Sequence, residues 1–377
     1  MQKQKRILIC PLDWGLGHAT RCIPIIHLLI KKNAEVIIAA DGRPLDLLKQ
    51  EFPQLRFISF KGYNIQYPAS GSMKTKMLLS IPKIVSGIKE EQQQLEKIIN
   101  EYNIDIVISD NRYGCWSKKI KSVFITHQLM IKAPLGENIL HKKVLKYIEN
   151  YHECWVPDIS GSTSLSGDLA HKYKLPENVY FVGALSRFHP GFVRYDKKDF
   201  SHLDSARCDK DFSTPLEMTT SYDIMAIISG PEPQRSIFEK LIIEQLKQSK
   251  INALIVCGKT ESKQKTETIG NIKIVSHLKS DEMQEAILRS KIIIARSGYS
   301  TIMDMAMLSK KAIFIPTPGQ TEQEYLAKEL MNKKIAFSQT QATFDLRKAL
   351  KESENYKGFE KVESSDELEK RIDLLLS

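Results

Sequence analysis

The chain has 377 residues, 42% hydrophobic and 27% charged, with 18 Gly and 15 Pro; these figures predict two or three domains with sizeable cores and exclude a single small module, a collagen-like repeat and a disordered chain. Net charge is +10 and unevenly spread: residues 1–190 hold 26 Lys+Arg against 17 Asp+Glu, the remainder 29 against 28. The basic first half is expected to face an anionic partner, a phosphorylated substrate or an acidic membrane surface, rather than nucleic acid, for which no basic-aromatic interleaving is present.

The first predicted element is a strand over Arg6–Leu12. Its apolar run stops at Asp13, too short for a signal peptide, so a cytoplasmic location is expected, peripheral on the inner face of the cell membrane where the basic half meets lipid. Further strands are predicted at Glu35–Ala40, Leu55–Phe60, Ile104–Asp110, Ser122–Gln128, Glu153–Asp158 and Val179–Leu185, with helical stretches between them. Runs such as I-L-I-C and I-V-I-S are apolar on both faces, the pattern of a parallel sheet covered by helices on each side. Periodicity stops from Arg187 to Tyr222, then resumes with strands at Asp223–Ser229, Asn252–Gly258, Ile272–Leu278, Lys291–Ala295, Lys311–Thr317 and Lys334–Ser338 and a final helix over Ser364–Leu376.

The expected fold is α/β: two Rossmann-like, doubly wound parallel-sheet domains in tandem. The first covers residues 1–186, a linker with an insertion 187–221, the second domain 222–360, and a closing helix 361–377 that packs across the domain junction. No segment reaches the roughly 18–20 apolar residues of a membrane span. The six scattered cysteines (Cys10, Cys22, Cys115, Cys154, Cys208, Cys257) contain no C-x-x-C and predict neither a disulfide frame nor a zinc site.

Ligands of open α/β sheets bind at the carboxyl ends of strands, so chemistry is sought in the turns that follow them. After the first strand comes Asp13-Trp14-Gly15-Leu16-Gly17-His18-Ala19-Thr20-Arg21. Gly15 and Gly17 permit a tight turn, and the helix beyond points its positive end at an anion or oxyanion. His18, with an ordinary pKa of about 6.5, can accept a proton from an alcohol near neutral pH if Asp13 or another carboxylate orients it; the plainer alternative is a capping or packing histidine. The same turn with Asp41 outlines a nicotinamide-dinucleotide site, although Thr20 replaces the third glycine and His18 would crowd a pyrophosphate. In the second half, Arg296, Ser297, Gly298 and the following helical turn offer amides, a dipole and a guanidinium to a diphosphate. Asp304, about two turns past Ser297 on the same helix face, can reach vicinal ribose hydroxyls.

From R-S-G-Y-S-T-I-M-D through P-T-P-G-Q-T-E-Q-E-Y the sequence resembles the donor-binding domain of family 28 glycosyltransferases, which include the bacterial peptidoglycan N-acetylglucosaminyltransferase and the plant galactolipid synthases. G-L-G-H-A-T-R stands in place of that family's Gly-rich, His-containing first loop, so the resemblance covers both domains. It implies a glycosyltransferase-B architecture, an acceptor domain followed by a nucleotide-sugar domain, with His18 as general base and Asp304 holding the ribose. It further implies that Gln323 and Glu324 bind the donor sugar's hydroxyls, that the Leu278 backbone reads uracil, and that Ser229 to Arg235 form a second phosphate loop. Since Pro231 and Pro233 lack backbone donors, that loop is expected to act through Ser229, Gly230 and Arg235. Glu324 replaces a usual neutral amide and would repel a uronic acid, which points to a neutral hexose or N-acetylhexosamine. Asp110 and His127, at the ends of two N-terminal strands, are expected on the acceptor side with Gly15 and Gly17.

The activity so implied is inverting, metal-independent transfer from a UDP-sugar to an alcohol acceptor, lipid-linked or saccharide, with no cofactor beyond the UDP-sugar co-substrate and no metal site. The rivals are a nucleotide-sugar epimerase or hydrolase of the same fold, a dehydrogenase, and a non-catalytic nucleotide-sugar-binding protein. Met73–Glu90 mixes apolar residues with Lys74, Lys76, Lys83 and Lys89, which suits either an anionic lipid surface or a core-facing helix with solvated lysines. His141, His152 and His189 are expected at the surface, and the D-x-D of Asp209 and Asp211 in the linker is not expected to bind metal.

Overall fold

The computed structural model describes residues 4–62, 73–132, 136–161, 164–188, 221–260, 263–360, 362 and 365–377, with the backbone alone over 73–84. The first half comprises β1 (Arg6–Pro11), α1 (Gly17–Lys31), β2 (Glu35–Ala40), α2 (Gly42–Glu51), β3 (Arg56–Ser59), α3 (Met73–Tyr102), β4 (Ile106–Asp110), β5 (Lys121–Ile125), α4 (Glu137–Ile148), β6 (Glu153–Val156), α5 (Asp168–His171) and β7 (Val179–Phe181). The second comprises β8 (Tyr222–Ile227), α6 (Gln234–Lys247), β9 (Ala253–Val256), β10 (Thr266–Ile269), β11 (Ile272–Val275), α7 (Ser280–Leu288), β12 (Ser290–Ala295), α8 (Tyr299–Met307), β13 (Ala312–Phe314), α9 (Thr321–Asn332), β14 (Phe337–Ser338), α10 (Leu346–Ser353) and α11 (Glu367–Leu376).

Among the described residues two seven-stranded sheets result, ordered β3-β2-β1-β4-β5-β6-β7 and β10-β11-β9-β8-β12-β13-β14. All pairing is parallel except β10 against β11. Every strand read from the sequence is present, most of them shorter than expected and β5, β8 and β12 starting one residue earlier; β10, whose Thr266, Glu267 and Thr268 are exposed, was not anticipated. Central strands are apolar on both sides because helices cover both: Ile7, Leu8, Ile9 and Cys10 of β1 are all fully buried. Each such aliphatic side chain stabilises the fold by roughly 1.5–3 kcal/mol.

In each sheet the chain reverses its direction of travel at a central pair, β1/β4 in one and β8/β12 in the other, and a crevice opens at the carboxyl ends there. The two crevices meet because α1 packs on α8 and a single apolar cluster runs through both halves, from Ile7 and Ile25 to Ile302 and Phe314. Where α1 meets α8, Ser300 Oγ donates to the Gly17 carbonyl at 2.9 Å. A Cβ on residue 17 would lie 2.9 Å from that hydroxyl oxygen, so a larger residue there would displace the Ser300 hydroxyl from this contact.

Helix α11 returns to the first half: Lys32 pairs with Glu369 and Asp373, Arg371 pairs with Glu153, and Leu368, Ile372 and Leu375 are buried. No helix among the described residues is long and apolar enough to cross a membrane. Cys10, Cys22, Cys115, Cys154 and Cys257 are buried free thiols. His141, expected at the surface, is instead buried, its Nδ1 on the Leu129 carbonyl at 2.8 Å and its ring stacked on Tyr173. Within α3, Ile88 is buried and Val85 exposed. Cys208, His189, Asp209 and Asp211 lie outside the described residues.

Candidate active site

The facing crevices enclose one cleft of about 320 Å³. The first half lines it with Trp14, Gly15, Gly17, His18, Asn111 and His127; the second lines it with Ser229, Gly230, Leu278, Gly298, Asp304 and Gln323. Helices α1, α8 and α9 all begin at this cleft, at Gly17, Tyr299 and Thr321, so three positive helix ends border the same space. Gly15 and Gly230 hold φ of 82° and 110°, left-handed values that keep their loops tight against the cavity.

His18 opens α1 immediately after β1, across the sheet from the end of β4, and this register brings its Nδ1 to within 2.8 Å of Asp110 Oδ1. Asp110 rather than Asp13 therefore orients the ring. It sits fully buried beneath His18 and is not on the cavity wall, which corrects its expected acceptor-side position. The Asp110 carboxylate also takes two hydrogen bonds from Arg21, Nε at 2.5 Å and Nη2. Burial alone would raise the Asp110 pKa, but Arg21 and then His18 outweigh it and hold the value down to about 2. For His18, burial and then Arg21 lower the pKa below 6.5 against the opposing pull of Asp110, so the imidazole is neutral at pH 7. With Nδ1–H donated to Asp110, the lone pair of Nε2 is left for a substrate proton.

His127 stands beside this group: its Nδ1 lies 3.1 Å from Arg21 Nη1, its ring stacks on Tyr299 at 4.1 Å, and its Nε2 lies 2.9 Å from Glu322 Oε1 in the other half. Gln128 Nε2 donates to the second oxygen of Glu322. Glu322, not Glu324, is thus the carboxylate of α9 on the cavity wall; Glu324 turns back to accept from the Gly319 amide at 2.9 Å. Burial would raise the Glu322 pKa, but His127, Arg21 and His18 hold it below the usual value. Gln323 lines the cleft, with Oε1 accepting from the Thr317 amide at 2.8 Å.

The two arginines expected at the diphosphate point elsewhere. Arg296 is 1% exposed and donates to the Ile315 and Pro316 carbonyls, to the Gln234 carbonyl and to Gln341, with its guanidinium 4.0 Å over Phe238. With no carboxylate among these partners, burial lowers its pKa to about 9. Arg235 is held by Glu232 and Glu239 and is off the cavity wall. Ser297 Oγ donates to the Gln323 carbonyl, tying the start of α8 to α9 instead of facing a ligand. What does line the cleft is Arg187, which sequence reasoning assigned to the linker. Its side chain is 10% exposed, its Nε has no hydrogen-bond partner among the described residues, and that nitrogen lies 3.8 Å from Asp304 Oδ2. Asp304 accepts from Ser186 Oγ at 2.6 Å, and burial raises its pKa to about 6 against the pull of Arg187. Asp41 occupies the N-cap position of α2 without a side-chain capping bond and is off the cavity wall, so the dinucleotide outline is not assembled.

Residues 234–374 match the glycosyltransferase family 28 C-terminal domain, and residues 5–123 match glycosyl transferase family 1. The chain is a glycosyltransferase, similar to family 28 over its second half and to family 1 over its first. This transferase is 25% identical over 328 residues to a UDP-N-acetylglucosamine--N-acetylmuramyl-(pentapeptide) pyrophosphoryl-undecaprenol N-acetylglucosamine transferase of Alkaliphilus oremlandii, covering 85% of this chain and 81% of the relative. It is 22% identical, with the same coverage, to an uncharacterized glycosyltransferase of Methanosarcina acetivorans. Among solved structures the transferase is similar in fold to the glycosyltransferase SnogD of Streptomyces nogalater (TM-score 0.58, 12% identity, 99% of this chain and 100% of that one). It is likewise similar to Acinetobacter baumannii MurG (TM-score 0.50, 11% identity, 98% and 99%). Both confirm two parallel-sheet α/β domains in tandem as the architecture.

Proposed function

We propose that the transferase moves a neutral hexose or N-acetylhexosamine from a UDP-sugar to an alcohol acceptor, with inversion at the anomeric carbon and without a metal ion. The observation that carries this reading is His18: a neutral imidazole fixed through Nδ1 by a buried carboxylate, in the same cavity as Gly298, Asp304 and Gln323. Nε2 takes the acceptor's hydroxyl proton as that oxygen bonds to the anomeric carbon from the face opposite the diphosphate. The bond from that carbon to the diphosphate oxygen breaks, and UDP leaves with the electron pair. Amides at the starts of α8 and α9 and the guanidinium of Arg187 compensate the charge on the leaving group. Asp304 accepts from the ribose hydroxyls, the Leu278 loop holds uracil, and Gln323 reads the sugar. The ionised carboxylate of Glu322 on the cavity wall disfavours a uronic acid donor, the part first given to Glu324.

The acceptor we propose is lipid-linked or a saccharide of the cell envelope, met at an anionic membrane surface on the cytoplasmic side. Supporting this are the excess positive charge of residues 1–190 and the transferase of A. oremlandii, whose name specifies a pyrophosphoryl-undecaprenol acceptor. The test is incubation of the protein with UDP-glucose, UDP-galactose and UDP-N-acetylglucosamine, with and without lipid-linked and glycoside acceptors in detergent micelles. Product anomers are then followed by proton NMR. A glycoside of inverted configuration formed in the presence of EDTA is expected. Epimerised or hydrolysed sugar formed equally well without acceptor would replace this reading by that of an epimerase or hydrolase.

A further inference from the structure

The contacts from Glu322 to His18 form one unbroken chain that crosses between the halves. Glu322 of α9 lies 2.9 Å from His127 Nε2, His127 Nδ1 lies 3.1 Å from Arg21 Nη1, Arg21 clasps Asp110 through Nε and Nη2, and Asp110 lies 2.8 Å from His18 Nδ1. Arginine can only donate, so a neutral His127 facing Nη1 must keep the lone pair on Nδ1 and the proton on Nε2. That tautomer suits an acceptor at Nε2, and Glu322 is one.

At the other end a competition is visible. Nδ1 of His18 is 2.8 Å from Asp110 Oδ1 and also 2.8 Å from Arg21 Nη2. If Asp110 wins, Nδ1 carries the proton and Nε2 is free to act as a base. If Arg21 donates there instead, the proton moves to Nε2 and His18 can no longer accept one. The groups that surround the two imidazoles are Arg21 of α1, Asp110 at the end of β4, Glu322 of α9 and Tyr299 of α8, together with each other. Of these carboxylates only Glu322 belongs to the second half, and its contact exists only while the halves are together.

We propose that Glu322 and His127 are positioning residues that make closure of the cleft and arming of His18 a single event. Docking of α9 gives His127 its Nε2 acceptor, which fixes the lone pair on Nδ1, holds Arg21 toward His127 and Asp110, and leaves His18 Nδ1–H to Asp110. When α9 withdraws, His127 loses its preferred tautomer, Arg21 turns to His18 Nδ1, and the base is disarmed before water can use it on the bound donor. The proposal rests on the transfer reading for its purpose, and its central claim, the coupling of Glu322 to the His18 tautomer, stands apart from any assay of transfer.

The experiment uses the full chain with histidine labelled at nitrogen and loaded with UDP, in which two-bond proton–nitrogen correlations report the tautomer of each ring. Wild type is expected to show His18 protonated on Nδ1. Glu322→Ala is expected to move His18 toward the Nε2–H form and to lower kcat roughly tenfold or more, with UDP affinity by calorimetry unchanged. Glu322→Gln, whose amide oxygen still accepts from His127 Nε2–H, should keep the wild-type tautomer and a kcat within about threefold. An unchanged His18 tautomer in Glu322→Ala overturns the proposal, as does a Gln variant that behaves like the Ala variant. Were no sugar transferred to any acceptor while the tautomer still shifted, the coupling would hold and the transfer reading would fall.

Discussion

Leaving aside β7 at the edge of the first sheet and antiparallel β10 at the edge of the second, the two sheets share one strand order, reverse at equivalent central pairs and contribute equivalent loops to the cleft, yet the loops differ in what they present. The β1/β4 crevice is built of ionisable side chains: His18, Arg21 and Asp110 lie within hydrogen-bond distance of one another. The β8/β12 crevice offers mostly backbone and small residues, Ser229, Gly230 and Gly298, with Arg235 and Arg296 turned into the protein and Arg187 beside Asp304 on its wall. The scaffold sets where a ligand sits and the loop residues set what is done there, so on the proposed reading one six-strand topology, used twice, supplies a proton acceptor on one side and an anion cradle on the other. That division predicts that substitutions in the first crevice act on kcat and substitutions in the second on UDP affinity.

The largest effect should follow removal of the imidazole. His18→Ala is expected to lower turnover roughly 10²–10⁴-fold while UDP affinity, read by calorimetry, stays unchanged; a variant with near-wild-type turnover would end the assignment. Because burial and Arg21 lower the His18 pKa, the acid limb of the kcat/KM profile should lie below pH 6.5.

Asp110→Asn comes next. An amide cannot hold Nδ1–H of His18 and Arg21 as a carboxylate does, and loss of the base tautomer should lower kcat about 10²-fold or more. Stability should fall as well, because buried Arg21 loses its counter-charge. The folded-state pKa of Asp110 is depressed to about 2, so its stabilising effect is present above the unfolded value near 3.9 and fades as pH falls toward 2. Thermal unfolding curves of wild type and variant should therefore converge only below about pH 4.

Asp304→Asn sharpens the contrast from the other crevice. Its folded-state pKa of about 6 lies above the unfolded value, so stability is lost as pH rises between about 4 and 6 and stays lost above. The wild-type protein at pH 7.5 thus carries a cost of about 2–3 kcal/mol that the amide removes. The Asn variant is expected to melt higher than wild type at pH 7.5 and equally at pH 4, while binding UDP about tenfold more weakly. A lower melting temperature at both pH values would show that the Arg187 contact outweighs the burial.

How much of this could be read in advance follows the range of the forces involved. Parallel strands announce themselves because both faces are apolar, and β10 does not because it is an exposed antiparallel edge. His18 is legible from its place after the first strand. Glu322 was passed over for Glu324 although both were in view; residues two apart on a helix point to nearly opposite sides, so the helix phase, set here by where α9 begins, decides which carboxylate faces the cleft. Arg21, three residues after His18, shares its helix face, and that spacing alone could have flagged it. Arg187 gave no local sign, because its neighbour Asp304 is 117 residues away along the chain and joins it only after folding.

Arg296 tests the division at its least conspicuous point. It sits among the residues that most resemble a phosphate turn, yet its four acceptors are the carbonyls of Ile315, Pro316 and Gln234 and the side chain of Gln341, and its planar fork fits them where an ammonium would not. Arg296→Lys should therefore lose most of these bonds and destabilise the second half by about 1–3 kcal/mol in denaturant unfolding. UDP affinity should change no more than about threefold, because the guanidinium never reaches the cleft and the amides at the start of α8 are kept. A loss of UDP affinity of tenfold or more, with unfolding unchanged, would mean that this side chain swings toward the diphosphate on binding and joins Arg187 in meeting its charge.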